Sequence, residues 1–206
     1  MDNCQKDRLP ESMIHVYPGM GATASMYGER WREAIAGTYH NWPEWSGEET
    51  IAEMAATLIE AHGISDGDTV IGSSLGGMLA AEVSRTIELE RIILIGSAIH
   101  PDEIRTLLKV LHPIIDYTPL DFIQKLAGKV PMELSGMFAE TDPGYIRAMC
   151  KAVFLWEGIE AGSSILRIHG KHDSVIPPPS DAHLIDGGHL IAMTHAEECL
   201  QIIQQL

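Results

Sequence analysis

The sequence predicts an α/β fold: a mostly parallel sheet of about six strands, helices on both faces and an inserted helical segment. Three observations carry this. Between residues 13 and 96 short apolar runs alternate closely with segments of helical periodicity, the pattern of strand–helix–strand units joined into a parallel sheet. Within that stretch an apolar run, 69–71, enters the small-residue cluster Gly72-Ser73-Ser74-Leu75-Gly76, and a helix-forming run leaves it. From 100 to 160 the apolar residues follow helical spacing with no credible strand. About sixty residues there separate two consecutive strands, where a simple crossover needs roughly a dozen or more, so they are expected to form a cap inserted into a single domain, 1–206.

The elements follow in order. Residues 1–11 are polar and contain Pro10, and read as a loose arm. A short strand at 13–17 leads into Pro18-Gly19-Met20-Gly21, a loop whose backbone amides can face an anion. Tyr27, Trp31, Ala34 and Ile35 recur at helical spacing and predict a helix over 24–36, ended by Gly37. Residues 38–42 read as a second strand, closed by Pro43. Ser46 and Glu49 fit a capping box. Behind them Ile51, Met54, Ala55, Leu58 and Ile59 form one apolar stripe that Gly63 ends. The unbroken apolar run at 91–96 suits a strand covered on both faces. In the inserted segment Pro101 opens a helix carrying Ile104, Leu107, Leu108 and Leu111, and Pro119 opens another with Phe122, Ile123 and Leu126. Asp142-Pro143 caps a third, with Ile146, Met149, Cys150, Val153 and Phe154 at helical spacing. The sheet resumes at 164–169 and finishes with a brief strand at 182–185. Leu190, Ile191, Met193, Leu200, Ile202 and Ile203 mark a closing helix.

Composition narrows the partners. The formal charge of −15, scattered in pairs such as Glu48-Glu49 and Glu197-Glu198, opposes charge-driven binding to nucleic acid or to an anionic membrane face. Three cysteines, Cys4, Cys150 and Cys199, lie far apart and are odd in number, which suits a reducing compartment better than a disulfide framework. The polar N-terminus shows no signal peptide, and no apolar run approaches membrane-spanning length. A cytoplasmic protein acting on a small molecule is expected; oligomeric state is not legible.

Chemistry concentrates at residues 72–76. A serine on a sharp strand-to-helix turn has a strained backbone, and the residues two before and two after it crowd the turn, so glycine is needed there. That frame selects between the two serines. Ser73 would place Ile71 and Leu75 at the crowded positions, whereas Ser74 places Gly72 and Gly76; Ser74 is the candidate nucleophile. The stretch alternatively reads as a plain tight turn or a phosphate loop, but no Gly-Lys-Ser/Thr follows and the dinucleotide Gly-x-Gly-x-x-Gly spacing is absent.

Two further residues join it. Asp173 follows a late strand in His169-Gly170-Lys171-His172-Asp173-Ser174-Val175-Ile176-Pro177, and His189 follows the last strand in Gly187-Gly188-His189. Serine, then acid, then histidine is the chain order of the α/β-hydrolases. Through these three motifs the sequence resembles that superfamily along nearly its whole length, as a small, trimmed serine hydrolase of an esterase-like branch with a helical cap. The resemblance implies a Ser74–His189–Asp173 triad: His189 takes the Ser74 proton, and Asp173 fixes the imidazole tautomer. It also implies an oxyanion hole from the backbone amides of Leu75 and Met20. No cofactor or metal is called for.

Some relatives draw the acid from the end of the strand before the cap; here that site reads Gly96-Ser97-Ala98, without a carboxylate. Many carry His-Gly in the first loop where this chain has Pro18-Gly19. Residues 1–12 leave no room for the antiparallel hairpin that often precedes the first strand, and 177–182 leave none for a helix before the last. His15, His40, His62, His100, His112 and His195 lack motif context and read as structural or surface residues. His169 reads as a hydrogen-bonded structural residue, and His169-x-x-His172-Asp173 is a weak metal-ligand spacing. Asp181 and Asp186 read as turn residues. The cap helices and Trp156 are expected to line an apolar pocket for an acyl group. The expected activity is hydrolysis of a carboxylic ester or thioester. A lyase or acyltransferase on the same triad, or a hydrolase-like small-molecule binding protein, stays open because fold alone does not settle function.

Overall fold

The computed structural model describes residues 12–104, 132–162 and 164–205, with backbone only for 132–135. Six strands, β1 (Ile14–Tyr17), β2 (Thr38–Tyr39), β3 (Thr69–Ser73), β4 (Arg91–Ile95), β5 (Ile165–Gly170) and β6 (His183–Ile185), form one sheet in the order β2-β1-β3-β4-β5-β6. Every pairing among them is parallel. The chain moves outward from β1 to β2, then returns to lay β3 on the other side of β1 and continues away. The carboxyl ends of β1 and β3 therefore flank the point where strand order reverses, where open α/β sheets hold their ligands.

Both faces are covered. Along β4, Ile92 and Leu94 face the layer built from α2 (Ile51–His62), α3 (Leu75–Val83) and a later helix, Pro143–Leu155. Ile93 and Ile95 face α1 (Glu29–Ala34) and the C-terminal helices. The same alternation puts Tyr17 and Val70 in the first layer and Val16 and Ile71 in the second. It is the period-two pattern of a strand with two buried faces, and each such Ile or Leu contributes about 1.5–3 kcal/mol by leaving water.

Between β4 and β5 the described residues form a 3-10 turn at Pro101–Glu103 and helices α4 (Met132–Glu140) and α5 (Pro143–Leu155). Asp142 caps α5 as expected, its Oδ1 accepting the Tyr145 amide at 3.0 Å. The expected Pro101 helix is thus only a turn as far as Ile104; its remaining positions and the expected Pro119 helix lie outside the described residues. α4 was not anticipated. The crossover from β5 to β6 holds no helix.

Several boundaries differ from expectation. Ala24–Met26 is a 3-10 turn, so α1 begins only at Glu29. β2 is two residues long. The capping box of α2 is Thr50 with Glu53, not Ser46 with Glu49. Ser46 and Thr57 instead donate to the carboxylate of Glu48. The closing helix is two helices, α6 (Ile191–Thr194) and α7 (Ala196–Ile203), divided at His195. Among the described residues no helix is long and apolar enough to cross a membrane.

Candidate active site

Ser74 stands between the end of β3 and the start of α3 with φ 52° and ψ −119°, the one non-glycine residue at positive φ among those described. Local packing forces that turn. A Cβ on Gly72 would sit against the backbone of Gly76 and Gly77, and one on Gly76 against the Pro18 carbonyl oxygen. Ser73 is buried in the strand, while Ser74 is partly exposed. The turn is held from β4: the Ser74 amide donates to the Ile95 carbonyl at 3.0 Å, and Ser97 Oγ donates to the Ser74 carbonyl at 2.7 Å.

His189 lies beyond β6 with Nε2 3.0 Å from Ser74 Oγ and Nδ1 2.8 Å from Asp173 Oδ2. The structure therefore brings the three sequence-predicted side chains together in one unbroken row. Asp173 is buried in the turn after β5, and its Oδ1 accepts the amides of Val175 at 2.8 Å and Ile176 at 2.9 Å. Its Oδ2 accepts Nδ1–H of His189 and lies 3.3 Å from His169 Nε2. Burial alone would raise this carboxyl. The donors from His169 and His189, the His189 charge and the Ile176 amide outweigh it and hold Asp173 well below the usual carboxylate range. It stays an acceptor, which fixes the hydrogen of His189 on Nδ1 and leaves Nε2 to face Ser74.

The first loop reaches the same rim. A Cβ on Gly19 would stand 3.5 Å from Ser74 Cβ, and Trp42 Nε1 donates to the Gly19 carbonyl at 3.2 Å. Met20, the next residue, is half-buried, with its Sδ 3.7 Å from Cys150 Sγ on α5. The Leu75 amide opens α3, where the first N–H groups have no partner within the helix and favour negative charge.

No protein-family model matches the chain, and no curated protein sequence does. Solved structures do match. A thermophilic esterase from Thermogutta terrifontis is similar over 94% of this chain and 88% of its own, with a TM-score of 0.73 at 16% identity. The enol-lactonase from Burkholderia xenovorans is similar over 94% and 90%, with a TM-score of 0.71 at 16% identity. The type II thioesterase BorB of the borrelidin biosynthetic cluster is similar over 96% and 93%, with a TM-score of 0.63 at 20% identity. The chain has the α/β-hydrolase fold.

Within this α/β-hydrolase fold Gly96, just past the end of β4, has no room for an acid. Gly96 has φ 55°, and a Cβ there would lie 2.8 Å from the His189 carbonyl oxygen, so a side chain at that position would displace the histidine. His169 and His172 point apart: His172 meets Asp186 at the surface, while His169 is 1% exposed. Among the described residues no group of three or more His, Cys, Asp or Glu side chains is arranged to hold a metal ion. His195 meets Thr194 Oγ1 at 2.8 Å and takes no part in the row. His15, His40 and His62 gather elsewhere, beneath Tyr17. His15 Nδ1 is 2.9 Å from His40 Nε2, the rings of His40 and His62 stack at 4.0 Å, and His62 Nδ1 is 2.8 Å from the Tyr17 hydroxyl. His100 accepts the Asp102 amide at the Pro101 turn, and His112 lies outside the described residues. Trp156, expected to line a pocket, is packed in the core, its indole N–H donating to Glu82 Oε2 at 2.7 Å. Sequence reasoning missed Ser97, whose hydroxyl braces the Ser74 turn, since a serine after a strand carries no signal of its own.

Proposed function

We propose that this protein is a serine hydrolase that cleaves a carboxylic ester or thioester through Ser74, His189 and Asp173. One observation carries the reading: the row Ser74 Oγ, His189, Asp173, with contacts of 3.0 and 2.8 Å, starts from a strained turn at a helix N-terminus. His189 Nε2 takes the Ser74 proton as Oγ attacks the substrate carbonyl carbon, and Asp173 supports the imidazolium through Nδ1–H. The carbonyl oxygen, now an oxyanion, takes the Leu75 amide and, in this reading, the Met20 amide; losing one such donor typically costs about 10²–10³ in rate. Collapse breaks the bond to the alcohol or thiol, which leaves with the proton from His189. Water, activated by the same imidazole, then releases the acid and restores Ser74.

The substrate is taken to be a small acyl compound in the cytoplasm, and residues 100–160 a cap over the site. The position of α4 supports the cap. A Cβ on Gly21 would run into the Phe138 ring, and Met137 Sδ lies 3.5 Å from Thr23 Oγ1, so α4 lies over the first loop.

A fluorophosphonate probe and a series of p-nitrophenyl esters of graded chain length test the reading. Labelling at pH 7–8 is expected, lost in Ser74→Ala and His189→Ala and retained in His195→Ala, with turnover of at least one ester. An unlabelled protein would make it a binding protein; labelling without ester turnover would favour a transferase or lyase; equal loss in both histidine variants would mean that His189 is the wrong base.

A further inference from the structure

Asp173 is served by two imidazoles, and the mechanism above uses one. His169, near the end of β5, holds Nε2 2.9 Å from the Ile176 carbonyl oxygen and 3.3 Å from Asp173 Oδ2. Both neighbours are acceptors, so the ring hydrogen sits on Nε2 and is shared between them. Its other nitrogen, Nδ1, is buried without a hydrogen-bond partner. An orphaned buried nitrogen is unfavourable, and an apolar side chain would fill the same space without it. The site keeps a histidine where only Nε2 is used.

We infer that His169 is a positioning residue for Asp173: its Nε2–H closes the 173–176 turn through the Ile176 carbonyl and withdraws charge from the oxygen that faces His189. The inference deepens the triad reading and rests on it. The geometry is closed on both sides. Asp173 Oδ1 accepts the Val175 and Ile176 amides, while Oδ2 takes His189 Nδ1–H and shares the His169 donor with the Ile176 carbonyl, so four donors hold the carboxylate. The other ionisable groups nearby are engaged elsewhere. Arg167, two residues earlier on the same face of β5, meets Glu103 and Asp181. His172 meets Asp186 at the surface, and Lys171 and His183 are exposed.

Without the His169 donor, Oδ2 carries a fuller charge and holds the His189 cation more tightly. The acid limb of activity should then move to higher pH with KM unchanged.

Two substitutions separate this from packing. The amide nitrogen of His169→Gln falls near the place of Nε2, whereas that of His169→Asn falls near the place of Nδ1. The ring of His189 is titrated by proton–nitrogen NMR in the intact protein, a reading that needs no turnover. In His169→Asn the titration is expected about half to one pH unit higher than in the unaltered protein, with the acid limb of kcat/KM following it; in His169→Gln both are expected to return to the unaltered values. Thermal melts establish that each variant is folded, and His169→Phe replaces the asparagine variant if that one is not. A His189 titration that is the same in all the proteins overturns the inference, as does an equal displacement in the glutamine and asparagine variants. Fluorophosphonate labelling of the unaltered protein reports separately on the triad: if Ser74 stays unlabelled the hydrolase reading fails, while the ring titration still decides the role of His169.

Discussion

Replacing Ser74 by alanine removes the hydroxyl; replacing it by glycine removes the hydroxyl and releases the backbone as well. The two variants lose the same contact, Oγ with His189 Nε2 at 3.0 Å, so their difference isolates the turn. At φ 52° and ψ −119° a residue with a Cβ carries about 1–3 kcal/mol of strain. Glycine relieves it but loses about 0.5–1 kcal/mol more chain entropy on folding than alanine does. Glycine should therefore be the more stable variant by about 1 kcal/mol, and by no more than about 2.5 kcal/mol, the reverse of the usual order within regular structure. For a domain of this length each kcal/mol moves the melting temperature by about 2–4 °C, so Ser74→Gly should melt roughly 2–4 °C above Ser74→Ala, and no more than about 10 °C above it. Scanning calorimetry with urea titration of both variants measures it, and neither should take up a fluorophosphonate. An alanine variant as stable as the glycine variant, or more so, would show that the turn stores no more than about 1 kcal/mol of strain and that the argument from backbone geometry is wrong.

Two further outcomes are expected. Burial first, then the neighbouring His62 and His15, holds His40 down to about 4 from an ordinary 6.5; burial and His15 lower His62 as well. The unfolded chain thus takes up a proton at His40 that the folded chain refuses between those two values. Stability is complete above pH 6.5 and drains as the pH falls towards 4. The full displacement corresponds to about 3 kcal/mol, brought down to about 1–2 by solvent around this partly open ring. Urea midpoints from pH 7 to pH 4.5 should fall less steeply in His40→Gln, and parallel curves would contradict the assignment. Arg167, 4% exposed in its side chain, meets Glu103 through two contacts of 2.7 and 2.8 Å. Arg167→Met should lose about 3 kcal/mol in urea unfolding because Glu103 keeps the Ile99 amide but loses its cation, and adding Glu103→Gln should recover part of it; a loss under about 1 kcal/mol would class the pair with surface bridges.

Much of this architecture was readable because its signals are local. The period-two burial of Val70, Ile71, Ile92 and Ile93, the glycines around Ser74 and the strand-end placement of Asp173 and His189 depend on near neighbours in the chain. What escaped depends on tertiary partners. Ser46-x-x-Glu49 and Thr50-x-x-Glu53 fit the capping box equally well, and the choice falls to Glu48, which takes Ser46 and Thr57 for itself. Trp156 was expected to line a pocket together with the cap helices; the buried acceptor Glu82, distant in sequence, draws it into the core. His169 was legible as a structural residue, but its position beside Asp173 Oδ2 depends on how tightly the 173–176 turn closes.

The connection between β4 and β5 has a mechanical consequence. The proposed nucleophile and its proposed proton carriers stand on opposite sides of it: Ser74 and its turn precede β4, Asp173 and His189 follow β5. Four rungs, Ile92 with Ile165 through Ile95 with Ile168, hold the seam between them in register. A slip along that seam would part the hydroxyl from its imidazole while leaving each portion internally intact, so loss of reactivity should report sliding between the two portions of the sheet before any probe of helix content senses a change.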